Sequence, residues 1–217
     1  SINIQLNPEL KEKVMNGDIY VFECPYCHAK HYIQYPFLYH DMDHKFMIQQ
    51  GGYESLFENY QNYIGKDKKP EADFLNLLGD YKQLGCPSYT DFKSKVVMLE
   101  NGLDYRIGTM FEYTAIARFN YYMEEKKDDS LKAIDAFFDK NENSELIVVL
   151  ELQPKDENAE HKYVTTPFDK ETYDHLNESY GSELDNVFTY FFDMDAAVKY
   201  MASFENDNLQ KAKANEI

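Results

Sequence analysis

The first fifty residues alternate between short apolar stretches and polar turns, a pattern typical of short β-strands. Apolar and polar side chains alternate over 19–23 and 31–35, and Pro36 prevents a helix through the second stretch. A third strand is predicted over 45–49. A short helix is predicted before them, over about 8–15, because a proline stands in its first turn and a glycine follows its last.

The middle of the chain changes to a helical pattern. Thr90 or Asp91 is predicted to cap one helix at its start, and Gly102 to end it, because these residue types favour those positions. A second helix follows, with apolar residues at helical spacing. The predicted elements of this part are short helices over 53–63 and 71–79, a strand over 81–86, and helices over 92–101 and 103–122.

The last third alternates between strand and helix patterns after a charged linker over 124–129, which is the predicted domain boundary. Asp169 is predicted to cap one helix, and Asp193 or Asp195 the next. The predicted elements are a hairpin of strands over 132–139 and 145–152, a strand over 162–166, a helix from 169 to about 180, a strand over 187–192, and a helix through 204.

Charge is distributed unevenly along the 217 residues, whose formal net charge is −17. Residues 141–217 hold 17 Asp and Glu against 6 Lys, a net charge of −11, whereas residues 1–50 hold 6 against 4, a net charge of −2. Nucleic-acid affinity comes largely from basic residues, and Arg106 and Arg118 are the two arginines of the chain, so no nucleic-acid partner is expected. The acidic surface is predicted to be solvated, with a basic partner or hard cations as the alternative.

No run of apolar residues is long enough to span a membrane, and the first residues lack the pattern of a secretion signal. The three cysteines are Cys24, Cys27 and Cys86, of which two form a C-x-x-C motif. That spacing suits metal or redox chemistry better than a secreted disulfide framework. We therefore expect no membrane association and a location in the reducing cytoplasm.

One hypothesis for the motif Cys24-Pro25-Tyr26-Cys27 is dithiol redox chemistry, because glutaredoxins carry this tetrapeptide. Cys24 would be the nucleophile and Cys27 the resolving thiol. The chemistry requires a helix that starts between the cysteines and lowers the thiol pKa. The residues that follow predict a strand instead, and Gly51-Gly52 arrives too soon to be the glycine pair of that family.

A second hypothesis is a zinc finger, because the spacing Cys24-x2-Cys27-x12-His40-x3-His44 matches the C2H2 pattern. Such a finger places both histidines on a helix, whereas Pro36 and the alternating pattern around it disfavour one. The net charge excludes DNA binding, but zinc binding by these four ligands remains open.

A third hypothesis is half of a zinc ribbon. A C-x-x-C motif on a tight turn between two strands presents two thiolates to one tetrahedral zinc ion, and a second such turn supplies the other pair. The predicted order of strand, Cys24-Pro25-Tyr26-Cys27 and strand fits this arrangement. A second cysteine pair is missing from the sequence.

The front of the chain resembles the bacterial CpXC family, most specifically in its first fifty residues and more faintly up to about residue 125. The resemblance implies a pair of C-P-x-C motifs that bind one metal; the second motif is Cys24 to Cys27, and the first is expected upstream of Ser1. Zinc is the implied metal. The segments that carry the resemblance are 7–14, 16–27, 35–41, 45–48 and, more faintly, 81–106.

Further zinc ligands within this sequence are also considered, in case the fold brings them near the cysteine pair. The candidates are His28, His31, His40, His44 and Cys86. A separate alternative is a hydrolytic metal site in the segment 40–44, which holds two histidines and two aspartates; a polar turn between strands explains the same composition.

Together these patterns predict an α+β fold with a small zinc-ribbon-like β element, a central helical pair and a C-terminal mixed α+β part. The predicted domains are a CpXC-like domain over 1–125 and an acidic part over 126–217. The predicted function is a non-enzymatic binding or adaptor protein with a structural Cys-Pro-x-Cys turn and an unidentified protein partner. A glutaredoxin-like oxidoreductase is the alternative.

Overall fold

A computed structural model describes most of the chain. The predicted helices over 53–63 and 71–79, and all but the last residue of the predicted strand over 187–192, lie outside the described residues. The described residues are 1–51, 80–156, 158–184 and 192–214.

The described residues divide into two compact units, with the division between Lys93 and Ser94. The first unit contains 1–51 and 80–93, and the second contains the described residues from 94 onwards. This division differs from the boundary that the charged linker indicated after residue 125, which stays a prediction.

The first unit contains a four-stranded sheet and a separate two-stranded hairpin. The sheet order is β1-β4-β5-β6, with parallel β1–β4 and β5–β6 pairs around an antiparallel β4–β5 pair, and β2 and β3 form the hairpin. The elements are β1 Ile2–Asn3, α1 Glu9–Asn16, a 3-10 turn Asp18–Tyr20, β2 Val21–Glu23, β3 Lys30–Tyr32, β4 Phe37–Asp41, β5 Phe46–Gln50, β6 Lys82–Cys86 and the start of α2 Tyr89–Glu100.

One face of the four-stranded sheet forms the core of the first unit. Buried and part-exposed residues alternate along β4 and β5, because successive side chains of a strand point to opposite faces. Phe92 of α2 packs on the buried face, with ring centroids 5.1 Å from Phe37 and 5.5 Å from Tyr39. The other large buried side chains of this face are Phe46, Ile48 and Leu84.

The second unit packs helices against a three-stranded antiparallel sheet of order β7-β8-β9. Helix α3 lies at its centre and contacts β7, β8, α4 and α5. Among its described residues the elements are the rest of α2, α3 Tyr105–Glu125, β7 Leu131–Lys140, β8 Leu146–Pro154, β9 Lys162–Pro167, α4 Lys170–Leu184 and α5 Met194–Ala214.

A buried polar contact joins α2, α3 and β7. Ser94 is 1% exposed and Glu112 is 4% exposed. The hydroxyl of Ser94 donates to Glu112 Oε1 and accepts the backbone N–H of Phe138 at 2.8 Å. The Ser94 side chain therefore provides hydrogen bonds to buried polar groups of both α3 and β7, where no solvent is available to do so.

The α+β class is confirmed, and the predicted strands and helices of the described residues are present. Two helix starts differ from the prediction. Helix α2 begins at Tyr89, since Ser88 Oγ accepts the N–H of Asp91 at 3.0 Å and Ser88, rather than Thr90 or Asp91, is its cap. Helix α3 begins two residues later than predicted because the side chain of Asp104 caps it.

The caps predicted in the last third are confirmed. Asp169 Oδ1 accepts the N–H of Thr172 at 3.2 Å, and Asp193 Oδ1, rather than that of Asp195, accepts the N–H of Ala196 at 2.9 Å. Helix α5 continues ten residues beyond the predicted end, to Ala214. Among the helices that the described residues form, none is both long enough and apolar enough to cross a membrane.

We expect Ser94→Ala to lower the free energy of unfolding by about 1–3 kcal/mol, because the buried N–H of Phe138 loses its acceptor. Urea unfolding followed by circular dichroism measures the change. Ser203→Ala is the matched control, since the Ser203 side chain is exposed and it should shift stability by less than about 0.5 kcal/mol. Equal effects of the two substitutions would show that the buried contact does not stabilise the unit.

Candidate functional site

The two motif cysteines lie in the turn of the β2–β3 hairpin. The backbone N–H of Cys24 donates to the carbonyl of Ala29, and the N–H of His28 donates to the carbonyl of Cys24, both at 2.9 Å. His28 has a positive φ of 57°, which reverses the chain tightly enough for both bonds to form. The turn is thus closed at its base and continues into paired strands, with Val21 opposite Tyr32, Phe22 opposite His31 and Glu23 opposite Lys30.

The turn favours the thiolate form of Cys24. The backbone N–H of Cys27, the backbone N–H of Tyr26 and the Cys27 side chain all donate toward Cys24, and together they lower the pKa of the Cys24 thiol. Both thiols are free; Cys24 is part-exposed and Cys27 is exposed. The site therefore offers an accessible thiolate with a second thiol beside it, and thiolate is the form that binds metals and attacks disulfides.

The helix of a glutaredoxin active site does not follow this turn. A glutaredoxin active site needs a helix that starts between the cysteines, whereas here the segment after Cys27 is strand β3. The donors that stabilise the Cys24 thiolate are N–H groups of the turn itself rather than the end of a helix. A dipole of a following helix therefore makes no contribution to the thiol pKa.

The hairpin is fastened to the rest of the first unit by Tyr20, which is 1% exposed. Its ring centroid lies 5.5 Å from that of Tyr32, 5.6 Å from that of Tyr35 and 5.5 Å from that of Tyr89. Its hydroxyl donates to Gln50 Oε1 at 2.7 Å. Burial, with the phenols of Tyr32 and Tyr35 nearby, raises the pKa of Tyr20 to about 12.

Sequence reasoning assigned residue 20 to a strand over 19–23 and missed this role. The backbone N–H of Tyr20 donates to the carbonyl of Gly17, so the residue ends a 3-10 turn and β2 begins only at Val21. Alternation of apolar residues cannot distinguish such a turn from a strand. The density of tyrosines around residue 20 is the signal that could have indicated this role.

The candidate helper ligands do not join the cysteine pair. His28 and His31 lie on the hairpin, where His28 Nδ1 is 2.9 Å from Glu23 Oε1. His40, His44 and Cys86 belong to the four-stranded sheet and its turn, and Cys86 is buried. In the part of the chain that the structure describes, no group of three or more His, Cys, Asp or Glu side chains is arranged to hold a metal ion.

The zinc-finger arrangement is also wrong, because its two histidines do not share a helix. His40 lies within β4, where its Nδ1 is 3.2 Å from the side-chain nitrogen of Asn3. His44 lies in the turn between β4 and β5, where its Nδ1 is 2.7 Å from Asp41 Oδ2. The two imidazoles therefore have different partners.

The polar residues of the 40–44 segment lie in and beside a turn that the side chain of Asp41 closes. Its Oδ1 accepts the backbone N–H groups of Asp43 and His44 at 3.0 Å each, and the side-chain amide of Gln5 at 3.0 Å. Burial alone would raise the pKa of Asp41, but the hydrogen bonds from His44 and Gln5 outweigh it, and the pKa is lowered. The turn therefore accounts for the composition of this segment, and among the described residues no three or more His, Cys, Asp or Glu side chains gather there to hold a metal ion.

These features define an α+β protein whose first unit carries a closed hairpin turn with two cysteines. The profile of a protein family, described as CpXC protein, matches residues 1–112. Because the match covers more than half of the 217 residues, the chain belongs to the CpXC family. A search of curated proteins and a search of solved structures find no match to the chain. The family that the motifs indicated is confirmed.

We expect the Asp41 carboxylate to make stability depend on pH. Its folded pKa lies below the unfolded value of about 3.9, so the stabilisation is complete above that value and is lost as the pH falls through the folded pKa. Asp41→Asn should therefore destabilise the protein at pH 7, and the difference from the original chain should shrink in acid. Urea unfolding at a series of pH values measures this.

The control for that series is Asp43→Asn, since the Asp43 side chain is exposed in the same turn. It should leave the pH profile unchanged. A deficit of Asp41→Asn that stays constant down to pH values well below about 3 would contradict the assigned pKa direction.

Proposed function

We propose that Cys24 and Cys27 supply two thiolate ligands to a structural zinc ion in a non-enzymatic binding protein. The observation that carries the proposal is the closed hairpin turn that holds the two free thiols, and N–H donors of the turn lower the pKa of Cys24. Such donors stabilise a thiolate before any metal arrives, so less free energy is needed to deprotonate the ligand.

The residues fit half of a zinc site. Zinc in structural sites takes four ligands in a tetrahedron, and a C-x-x-C turn supplies two of them. Within the described residues no further His, Cys, Asp or Glu completes the set. We infer that the other two ligands are a second cysteine pair, as the family resemblance implies; the 217 residues themselves hold only Cys86 besides Cys24 and Cys27. The zinc ion would cross-link the turn of Cys24 and Cys27 to the turn of the second cysteine pair. Its role would be structural, and no reaction is assigned to it.

The surface of the hairpin supports this arrangement. Tyr26 is 94% exposed, Tyr32 is 63% exposed and Phe22 is 51% exposed, although the hairpin strands have only three residues each. A second metal-binding turn placed against them would cover this apolar surface, which is otherwise costly to leave in water.

The proposed role is binding to a protein partner in a reducing compartment such as the cytoplasm. Free, accessible thiols persist where glutathione and thioredoxin keep them reduced. Both arginines serve structural contacts, since Arg106 binds Asp104 and the Leu184 carbonyl and Arg118 binds Thr172, so they do not form a basic surface for nucleic acid.

Metal titration of the reduced full-length protein tests the proposal. Co²⁺ as a spectroscopic substitute should give thiolate-to-metal charge-transfer absorption, and zinc should bind at about one ion per chain. Cys24→Ser and Cys27→Ser should each abolish the absorption. Cys86→Ser is the matched control and should retain it, because that thiol is buried in β6.

The competing function is thiol–disulfide exchange, which the lowered pKa of Cys24 favours. Its thiolate would break a substrate disulfide and release one substrate thiolate, and Cys27 would then release the other and leave a Cys24–Cys27 disulfide. Absence of bound metal, together with reduction of a small mixed disulfide that Cys24→Ser abolishes, would overturn the zinc proposal in favour of this one.

A further inference from the structure

Strand β9 forms an open edge of the three-stranded sheet. It pairs with β8 on one side, and no strand among the described residues pairs with its other side. All six of its residues are exposed, including Tyr163 at 59% and Val164 at 40%. An exposed edge of this length presents unpaired backbone donors and acceptors to other chains.

The register identifies which backbone groups point outward. The N–H of Phe168 donates to the carbonyl of Leu146, so Phe168 is a residue whose backbone bonds to β8. In an antiparallel pair such residues alternate along the strand with residues whose N–H and C=O groups point away from the partner strand. The N–H and C=O groups of Tyr163 and Thr165 therefore point away from β8. Pro167 occupies the next outward position, where its missing N–H costs no ladder hydrogen bond.

One face of the sheet is acidic beside this edge, whereas Lys162 of β9 lies on the opposite face. Asp135, Glu151 and Tyr163 lie opposite one another on β7, β8 and β9, and therefore share one face of the sheet. Tyr163 lies directly opposite Glu151, and His161 Nδ1 contacts Glu151. Lys132 shares this face but lies on β7, the strand farthest from the open edge.

We propose that β9 binds an extended basic segment of a partner protein, which adds to the sheet as a further strand. Outward N–H and C=O groups of Tyr163 and Thr165 supply main-chain hydrogen bonds, the source of affinity in strand addition. A lysine or arginine of the partner then lies over the exposed ring of Tyr163 and near Glu151, where cation–π and ionic attraction select positive charge. Residues 141–217 hold 17 acidic residues against 6 lysines, and this net negative charge also favours basic partners at longer range.

This interaction is independent of the metal site, because it uses residues beyond the 1–112 region that matches the family profile. The outcome of a metal titration therefore neither supports nor weakens it. An RNA or a membrane surface would be repelled by the acidic face rather than attracted to it.

Binding of a capped, dye-labelled peptide of about eight alternating lysine and valine residues to the full chain tests the proposal by fluorescence anisotropy. Added salt should weaken the complex, and the same peptide with glutamate in place of lysine should not bind. Thr165→Pro removes one outward N–H without breaking the ladder to β8, and should weaken binding by about tenfold or more. Thr165→Ala is the matched control and should bind within about twofold of the original chain.

Glu151→Gln should weaken binding by about two- to fivefold and reduce its salt dependence, because one negative charge is lost beside the edge. Circular dichroism of each variant checks that the sheet persists. Equal binding by Thr165→Pro and Thr165→Ala, equal binding of the lysine and glutamate peptides, or no binding of the lysine peptide would each overturn the proposal.

Discussion

The position of the thiol pair depends on the buried side chain of Tyr20. The two hairpin strands are too short to be stable alone, and a two-stranded hairpin is at best marginally stable in water. Tyr20 packs against Tyr32 of the hairpin and Tyr89 of α2, while its hydroxyl binds Gln50 of β5. These contacts fix the hairpin so that turn N–H groups stay directed at the Cys24 sulfur, which is the basis of the proposed metal chemistry.

The two units carry different kinds of surface. The first has a nearly neutral front, with a net charge of −2 over 1–50, and an exposed aromatic hairpin. The second contains most of the acidic excess and an open strand edge. A neutral, apolar surface suits cross-linking through a metal, whereas an acidic edge suits recognition of a basic strand. The proposals thus assign the metal ion to the first unit and the partner to the second.

Local patterns predicted the α+β class, the motif turn and the strands other than β1 and β4, because alternation, capping residues and proline act over a few residues. The local patterns gave wrong or incomplete predictions where contacts between residues distant in sequence determine the structure. Residue 20 ends a 3-10 turn whose role depends on Gln50, 30 positions away. The cap of α2 is a local error, since Ser88 and its neighbours Thr90 and Asp91 are all suitable capping residues and the sequence alone does not decide among them. The histidines matched zinc-finger spacing, but spacing alone does not show that His40 lies in a strand and that His44 contacts Asp41. The lowered pKa of Cys24 likewise depends on the geometry of the turn, which the spacing of residues in the sequence does not reveal.

The most direct test of the central claim is the pKa of the Cys24 thiol, measured by the ultraviolet absorbance of its thiolate across a pH series. The variant with both Cys27→Ser and Cys86→Ser leaves Cys24 as the titrating thiol and keeps the turn N–H donors. The account predicts a pKa below the ordinary cysteine value of about 8.5, and below that of an unstructured peptide with the same turn sequence. A pKa equal to or above that of the peptide would contradict it.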